Sequence, residues 1–244
     1  MFVSFDLAAT LVHVRGSVGE QYAAIARRFG IEVAAADIDR VFPAALKAAS
    51  STMWPGPTRP PQEVAEWEKS FWRSLVQGIF ERLDIWNGIE RDRFDAYFDA
   101  LFEHFTTASA WEIYPDVLPA FERLRRAGSR VGLITNFDGR VFKVIESLRL
   151  APLIDSVTIP AQVGAAKPDP ALFRHALAIN GADAREAVHV GDSLSEDVAG
   201  ARAAGMGAIL LDRNGRHTDV TGVTRITTLD DLPSALKVSA GTAG

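Results

Sequence analysis

Short, mostly apolar runs recur along the chain at 2–5, 131–135, 157–160, 187–190 and 208–211. They do not alternate with polar positions, and a run apolar on both faces is what a parallel sheet covered on both sides requires, so each predicts a buried strand. Between and beside the later runs, at 117–127, 140–148, 170–180 and 196–204, apolar residues recur every three or four positions and several stretches are followed by Gly. Those stretches predict amphipathic helices. Strand and helix in alternation predict an α/β fold: a doubly wound, Rossmann-like parallel sheet with right-handed crossovers.

The stretch 17–108 breaks this rhythm. Its period is helical almost throughout, with expected helices at 19–29, 36–49, 61–83 and 90–107, and it carries Trp54, Trp67, Trp72 and Trp86. A Pro-rich segment beginning at Trp54 and holding Arg59 predicts a helix-free connection in its middle. The expected organisation is a core of 1–16 with 109–244 and an inserted all-helical domain of 17–108. Trp67, Phe71 and Trp72 are expected in the core of that insert. The small and polar residues 239–244 are expected to fray.

Charge and composition narrow the partner. The formal net charge is −5 and the 26 Lys and Arg are scattered, so neither nucleic acid nor a membrane surface is expected as a partner. A small molecule is expected instead. The 244 residues include no Cys, which excludes disulfides, thiol nucleophiles and thiolate metal sites. The opening residues lack a secretory pattern and no stretch reaches the ~20 apolar residues of a membrane span, so a cytoplasmic location is expected.

Four short pieces carry the candidate chemistry, three of them directly after an expected strand, where open α/β sheets bind ligands. Asp6 follows the first strand; its carboxylate suits nucleophilic attack, or simply caps the next turn. Thr135 and Asn136 end another strand and present a hydroxyl and backbone N–H groups suited to phosphoryl oxygens, or form an ordinary polar exit. Lys167 lies in Ala-Ala-Lys-Pro-Asp-Pro, where flanking prolines stiffen a cation that can neutralise an anion, or that is merely solvated. Asp192 and Asp197, in Gly191-Asp192-Ser193-Leu194-Ser195-Glu196-Asp197, suit Mg²⁺, which takes one or two carboxylates and keeps several waters. The alternative is a helix start capped by Ser195 with Asp197 in its first turn.

In this order the pieces resemble the four signature motifs of haloacid dehalogenase superfamily hydrolases, and the insert resembles that superfamily's C1 cap. The resemblance implies that Asp6 is the nucleophile, that Thr135 and Asn136 bind phosphate, and that Lys167 orders both. It further implies Mg²⁺ held by Asp6, the Ala8 carbonyl and Asp192, with Asp197 acting through water. Phosphatases of the superfamily usually carry a second Asp two residues after the nucleophile, and often Gly after that; here Ala8 and Ala9 stand instead. Within the superfamily the chain most resembles the group named after a rhythmically expressed gene (REG-2-like).

The implied activity is a Mg²⁺-dependent phosphohydrolase acting on a small phosphorylated metabolite through an aspartyl-phosphate, slowed because a methyl at Ala8 cannot transfer protons. The alternatives are cleavage of a carbon–halogen or carbon–phosphorus bond, with Lys47 as a candidate amine, or a catalytically weak binding or regulatory protein. His13 is a candidate substitute proton donor or a hinge residue, and Arg59 and Lys47 are candidate contacts to substrate anions.

Overall fold

The computed structural model describes residues 1–49 and 60–241; the Pro-rich connection up to and including Arg59, and 242–244, lie outside the described residues. The strands are β1 (Phe2–Phe5), β2 (Val12–Val14), β3 (Trp111–Ile113), β4 (Arg130–Ile134), β5 (Ser156–Thr158), β6 (Ala187–Gly191), β7 (Gly207–Leu211) and β8 (Thr224–Ile226). The helices are α1 (Val18–Arg28), α2 (Ala35–Ala49), α3 (Pro61–Arg82), α4 (Arg91–His104), α5 (Val117–Arg126), α6 (Val141–Ser147), α7 (Pro160–Val163), α8 (Pro170–Asn180), α9 (Ala199–Ala203) and α10 (Leu232–Gly241).

Six strands form one sheet in the order β5-β4-β1-β6-β7-β8, and every neighbouring pair is parallel. The apolar runs occupy the positions the pattern predicts, and β1 and β6 are buried along their whole length. β8 was not expected, because at one edge of the sheet two of its three residues are half-exposed and it carries no apolar run. From β1 the chain builds outward through β4 and β5, then returns to build through β6, β7 and β8 on the other side. The carboxyl ends of β4, β1 and β6 therefore meet where the strand order reverses, the place such sheets offer a ligand.

The chain divides into two compact units: Met1–His13, Ile113–Asp138 and Arg149–Gly244 form one, and Val14–Glu112 with Gly139–Leu148 the other. This division differs from the sequence-derived one in giving α6 to the helical unit. The contacts account for it: Gly139 N–H donates to Glu68 Oε2 at 3.0 Å, and the Arg140 guanidinium lies 4.9 Å from the Trp72 ring centroid and 4.1 Å from that of Phe102.

In the helical unit Ile38, Ile79, Phe80, Phe94, Tyr97 and Leu101 form the core, with Phe80 and Tyr97 stacked at 5.4 Å. Phe71 is buried and Trp72 packs against this cluster, as expected. Trp67 does not: it is 40% exposed. The buried stripe of α3 runs Val64, Glu68, Phe71, Leu75 and Ile79, so the carboxylate that accepts from Gly139 takes the inward position and turns Trp67 out. Residues 239–241, expected to fray, instead form the end of α10, which Leu232, Ala235 and Leu236 anchor and which continues to Gly241. Among the described residues no helix is long and apolar enough to cross a membrane.

The turn after β1 closes on itself: Leu11 N–H and Val12 N–H donate to Leu7 O, and Ala9 N–H donates to Val12 O. It holds Ala9 at φ +60°, in the left-handed region. That region costs an L-residue roughly 1–2 kcal/mol, whereas Gly there costs only its extra chain entropy, about 0.5–1 kcal/mol. Ala9 is exposed, so its methyl buries little. Ala9→Gly is expected to raise unfolding stability by about 0.5–1 kcal/mol, seen as a higher urea midpoint at unchanged slope.

Candidate active site

Asp6 leaves β1 with its N–H bonded to Val190 O, which extends the β1–β6 ladder by one residue and presents the carboxylate at the strand end. Lys167 Nζ donates to Asp6 Oδ1 at 2.7 Å and to Asp197 Oδ1 at 2.6 Å, and the ammonium side chain is 2% exposed. Burial alone would lower the Lys167 pKa, but the charges of Asp197 and Asp6 outweigh it and hold the group well above the ordinary lysine value.

Lys167 reaches this position because Asn136 clamps its backbone. Asn136 Oδ1 accepts from Lys167 N–H at 2.7 Å, and its Nδ2 donates to Lys167 O at 3.1 Å and to Glu196 Oε2 at 3.2 Å. Thr135 is buried at the end of β4, its N–H bonded to Thr158 O and its Oγ1 accepting from Phe137 N–H.

Asp197 lies on a single π-helical turn, Leu194–Val198, in which Val198 N–H skips back five residues to Ser193 O. Such turns insert one residue and re-aim a side chain. Ser193 N–H donates to Asp197 Oδ2 at 2.9 Å, while Ser193 Oγ caps the turn by accepting from Glu196 N–H. The capping residue is thus Ser193, two residues earlier than the Ser195 expected from sequence. Gly191 is required here for space, because a Cβ at that position would overlap the Asp197 carboxyl group.

Asp192 completes a group of three carboxylates: one oxygen each from Asp6, Asp192 and Asp197 lie within 4.8 Å of one another. Thr10 Oγ1 donates to Asp192 Oδ1 at 3.4 Å. Burial pushes the Asp192 carboxyl up to about 7, reinforced by the negative charges of Asp6 and Asp197 against the opposing charge of Lys167. One ammonium among three carboxylates leaves excess negative charge, and a divalent cation would relieve it. Hard oxygen donors of this kind suit a small divalent ion.

Several residues at the site had no signal in a chain-local reading. Ser4 and His189 sit inside apolar strand runs, where they look like interruptions. Arg213, after β7, donates from Nε and Nη2 to Thr10 O at 3.0 and 2.8 Å, pairs with both oxygens of Asp116 at 2.9 Å, and lies 3.8 Å from the Tyr114 ring centroid. It thereby ties β7 to the turn that follows Asp6. Ala8 is exposed on that turn. His13 is half-buried on β2, its ring 4.8 Å from that of Tyr114, and Lys47 is exposed on α2.

A family model described as haloacid dehalogenase-like hydrolase matches residues 2–205. The chain belongs to that family. The matched stretch of this hydrolase contains Asp6, Thr135, Lys167, Asp192 and Asp197. It is 28% identical over 239 residues to haloacid dehalogenase-like hydrolase domain-containing protein 3 of Danio rerio, covering 97% of this chain and 96% of that protein. It is 25% identical to the rhythmically expressed gene 2 protein of Drosophila melanogaster, over 86% of this chain and 82% of that one. Among solved structures, a 2-haloacid dehalogenase from Pseudomonas syringae pv. Tomato DC3000 is 28% identical, with a TM-score of 0.66 over 98% of this chain and 99% of that one.

Proposed function

We propose that this hydrolase is a Mg²⁺-dependent phosphohydrolase that cleaves a small phosphorylated metabolite through an aspartyl-phosphate on Asp6. The observation that carries the reading is the placing of Asp6 between Lys167 and two further carboxylates, an excess of negative charge that suits a divalent ion and a dianionic substrate together. Displacement of halide from carbon has no need of such a cluster.

Asp6, the Ala8 carbonyl and Asp192 would hold the ion, with Asp197 joined through water because its oxygens already accept from Lys167, His189 and Ser193. Bound there, Mg²⁺ supplies charge neutralisation for the incoming phosphate. The Thr135 hydroxyl and the Asn136 backbone N–H group hold phosphoryl oxygens, and Lys167 balances the charge of both reactants. An Asp6 oxygen forms a bond to phosphorus as the bond to the leaving oxygen breaks. Water then attacks that phosphorus and frees Asp6 and inorganic phosphate.

Ala8 offers no proton to the leaving group and no base to the water. A phenolate leaves without proton help and an alkoxide does not, so aryl phosphates form the intermediate quickly and lose it slowly. With 4-nitrophenyl phosphate and Mg²⁺, a burst of nitrophenolate close to one per protein is expected before a slow steady state, and EDTA abolishes both. Absence of metal-dependent release from any phosphate ester, or metal-independent halide release from a 2-haloacid, overturns the reading.

A further inference from the structure

The parallel register of β1 and β6 sets Ser4 opposite His189 at the centre of the sheet, and both side chains are buried. Every other residue of β1 is apolar, and an unbonded polar pair in such a place costs several kcal/mol by transfer estimates. Here both are bonded. His189 Nδ1 lies 2.9 Å from Ser4 Oγ, and His189 Nε2 lies 3.0 Å from Asp197 Oδ1, with the ring edge-on to Phe173.

The chemistry of the partners assigns the protons. A carboxylate only accepts, so Nε2 carries the hydrogen toward Asp197, while Nδ1 faces Ser4 Oγ, which also donates to Val188 O at 3.4 Å. Asp197 Oδ1 receives the His189 N–H and the Lys167 ammonium together, and Oδ2 receives Ser193 N–H. The Asp197 carboxylate is therefore held by three donors, two of them on Oδ1. The ammonium of Lys167 ends a four-carbon stem and follows the oxygen it binds, and Asp6 Oδ1 follows the ammonium.

We propose that Ser4 and His189 form a positioning pair, which fixes Asp197 from within the sheet and so sets Lys167 against Asp6. The proposal rests on the phosphohydrolase reading for its kinetic consequence, but not for the proton assignment. A merely space-filling histidine would be replaceable by an apolar residue of similar volume at no cost to turnover.

Three variants and one spectroscopic measurement test it. His189→Leu is expected to lower kcat on 4-nitrophenyl phosphate about 10- to 100-fold, the usual effect of removing an outer partner at such a site, with KM little changed. His189→Gln, whose amide nitrogen reaches the place of Nε2, is expected to recover part of that loss. Nitrogen-15 NMR of labelled histidine in the wild-type protein is expected to show hydrogen on Nε2 of His189, and Ser4→Ala, which removes the ring's other partner, is expected to keep it there while lowering kcat several-fold. Undiminished kcat in His189→Leu, or an Nε2 without hydrogen in the wild type, overturns the proposal. If His189→Leu does not fold, Ser4→Ala decides through its kcat, and an undiminished value there overturns the proposal. A wild-type protein inactive on every phosphate ester sinks the phosphohydrolase reading alone, since the tautomer is read without turnover.

Discussion

Ala8→Asp is expected to raise kcat/KM for alkyl phosphates by ~10²–10⁴, the usual contribution of general acid–base assistance. That ratio reports events up to formation of the aspartyl-phosphate, the half-reaction in which an alkoxide must be protonated as it leaves. The same ratio for 4-nitrophenyl phosphate is expected to change far less, because nitrophenolate leaves without a proton. The new carboxylate also supplies a base to the attacking water, so the burst seen with the aryl ester is expected to disappear. Ala8 is exposed, which gives the larger side chain room, and its carbonyl is unaltered by the substitution. Stopped-flow and steady-state assays of both ester classes check the result. Equal gains for the two classes would mean that protonation of the leaving group is not what Ala8 withholds.

Lys167→Met is expected to cost about 3–5 kcal/mol of stability at neutral pH, because it leaves the buried Asp6 and Asp197 carboxylates without their cation. It is also expected to abolish turnover, since no charge then balances Asp6 and phosphate. In the native protein burial by itself raises the Asp197 pKa, but the Lys167 charge and the hydrogen bond from His189 outweigh it and hold the carboxyl below its ordinary range. A depressed carboxylate adds stability above its unfolded pKa and loses it as pH falls through the folded value. Without Lys167 the effect of burial dominates and the sign reverses: stability is present below the unfolded value, about 3.9 for Asp, and is lost as pH rises. The deficit of the variant against wild type is therefore expected to be largest near neutrality and to narrow on acidification. Urea unfolding at several pH values measures it, and a deficit independent of pH would show that lost packing, not lost charge, causes the damage.

Much of the architecture was legible along the chain. A strand buried on both faces is apolar at most positions, so β1, β4, β6 and β7 were visible as runs, and a helix packed on one face must repeat every three to four residues, so α5 and α8 were visible as periods. Asp6, Thr135 and Asp192 were legible because each sits one or two residues past such a run. Trp67 was misplaced for a reason of the same kind: a helical period identifies a stripe but not which of two adjacent stripes faces inward, and Glu68 took the inner one through a bond to Gly139, distant in sequence.

What sequence alone determined was the long buried strands, most of the amphipathic helices and the residues at the strand ends, because strand runs, helical periods and turn residues are properties of neighbours in the chain. Tertiary structure alone decided how those ends meet. The β1–β6 register puts Ser4 against His189, Asn136 clamps the backbone of Lys167, and Arg213 braces the turn after Asp6. The π turn, together with the missing side chain at Gly191, brings Asp197 onto the same ammonium as Asp6. Each of these depends on atoms within about 3 Å of one another whose separation in the chain reaches 203 residues, and a pattern read along the chain carries no information on such distances.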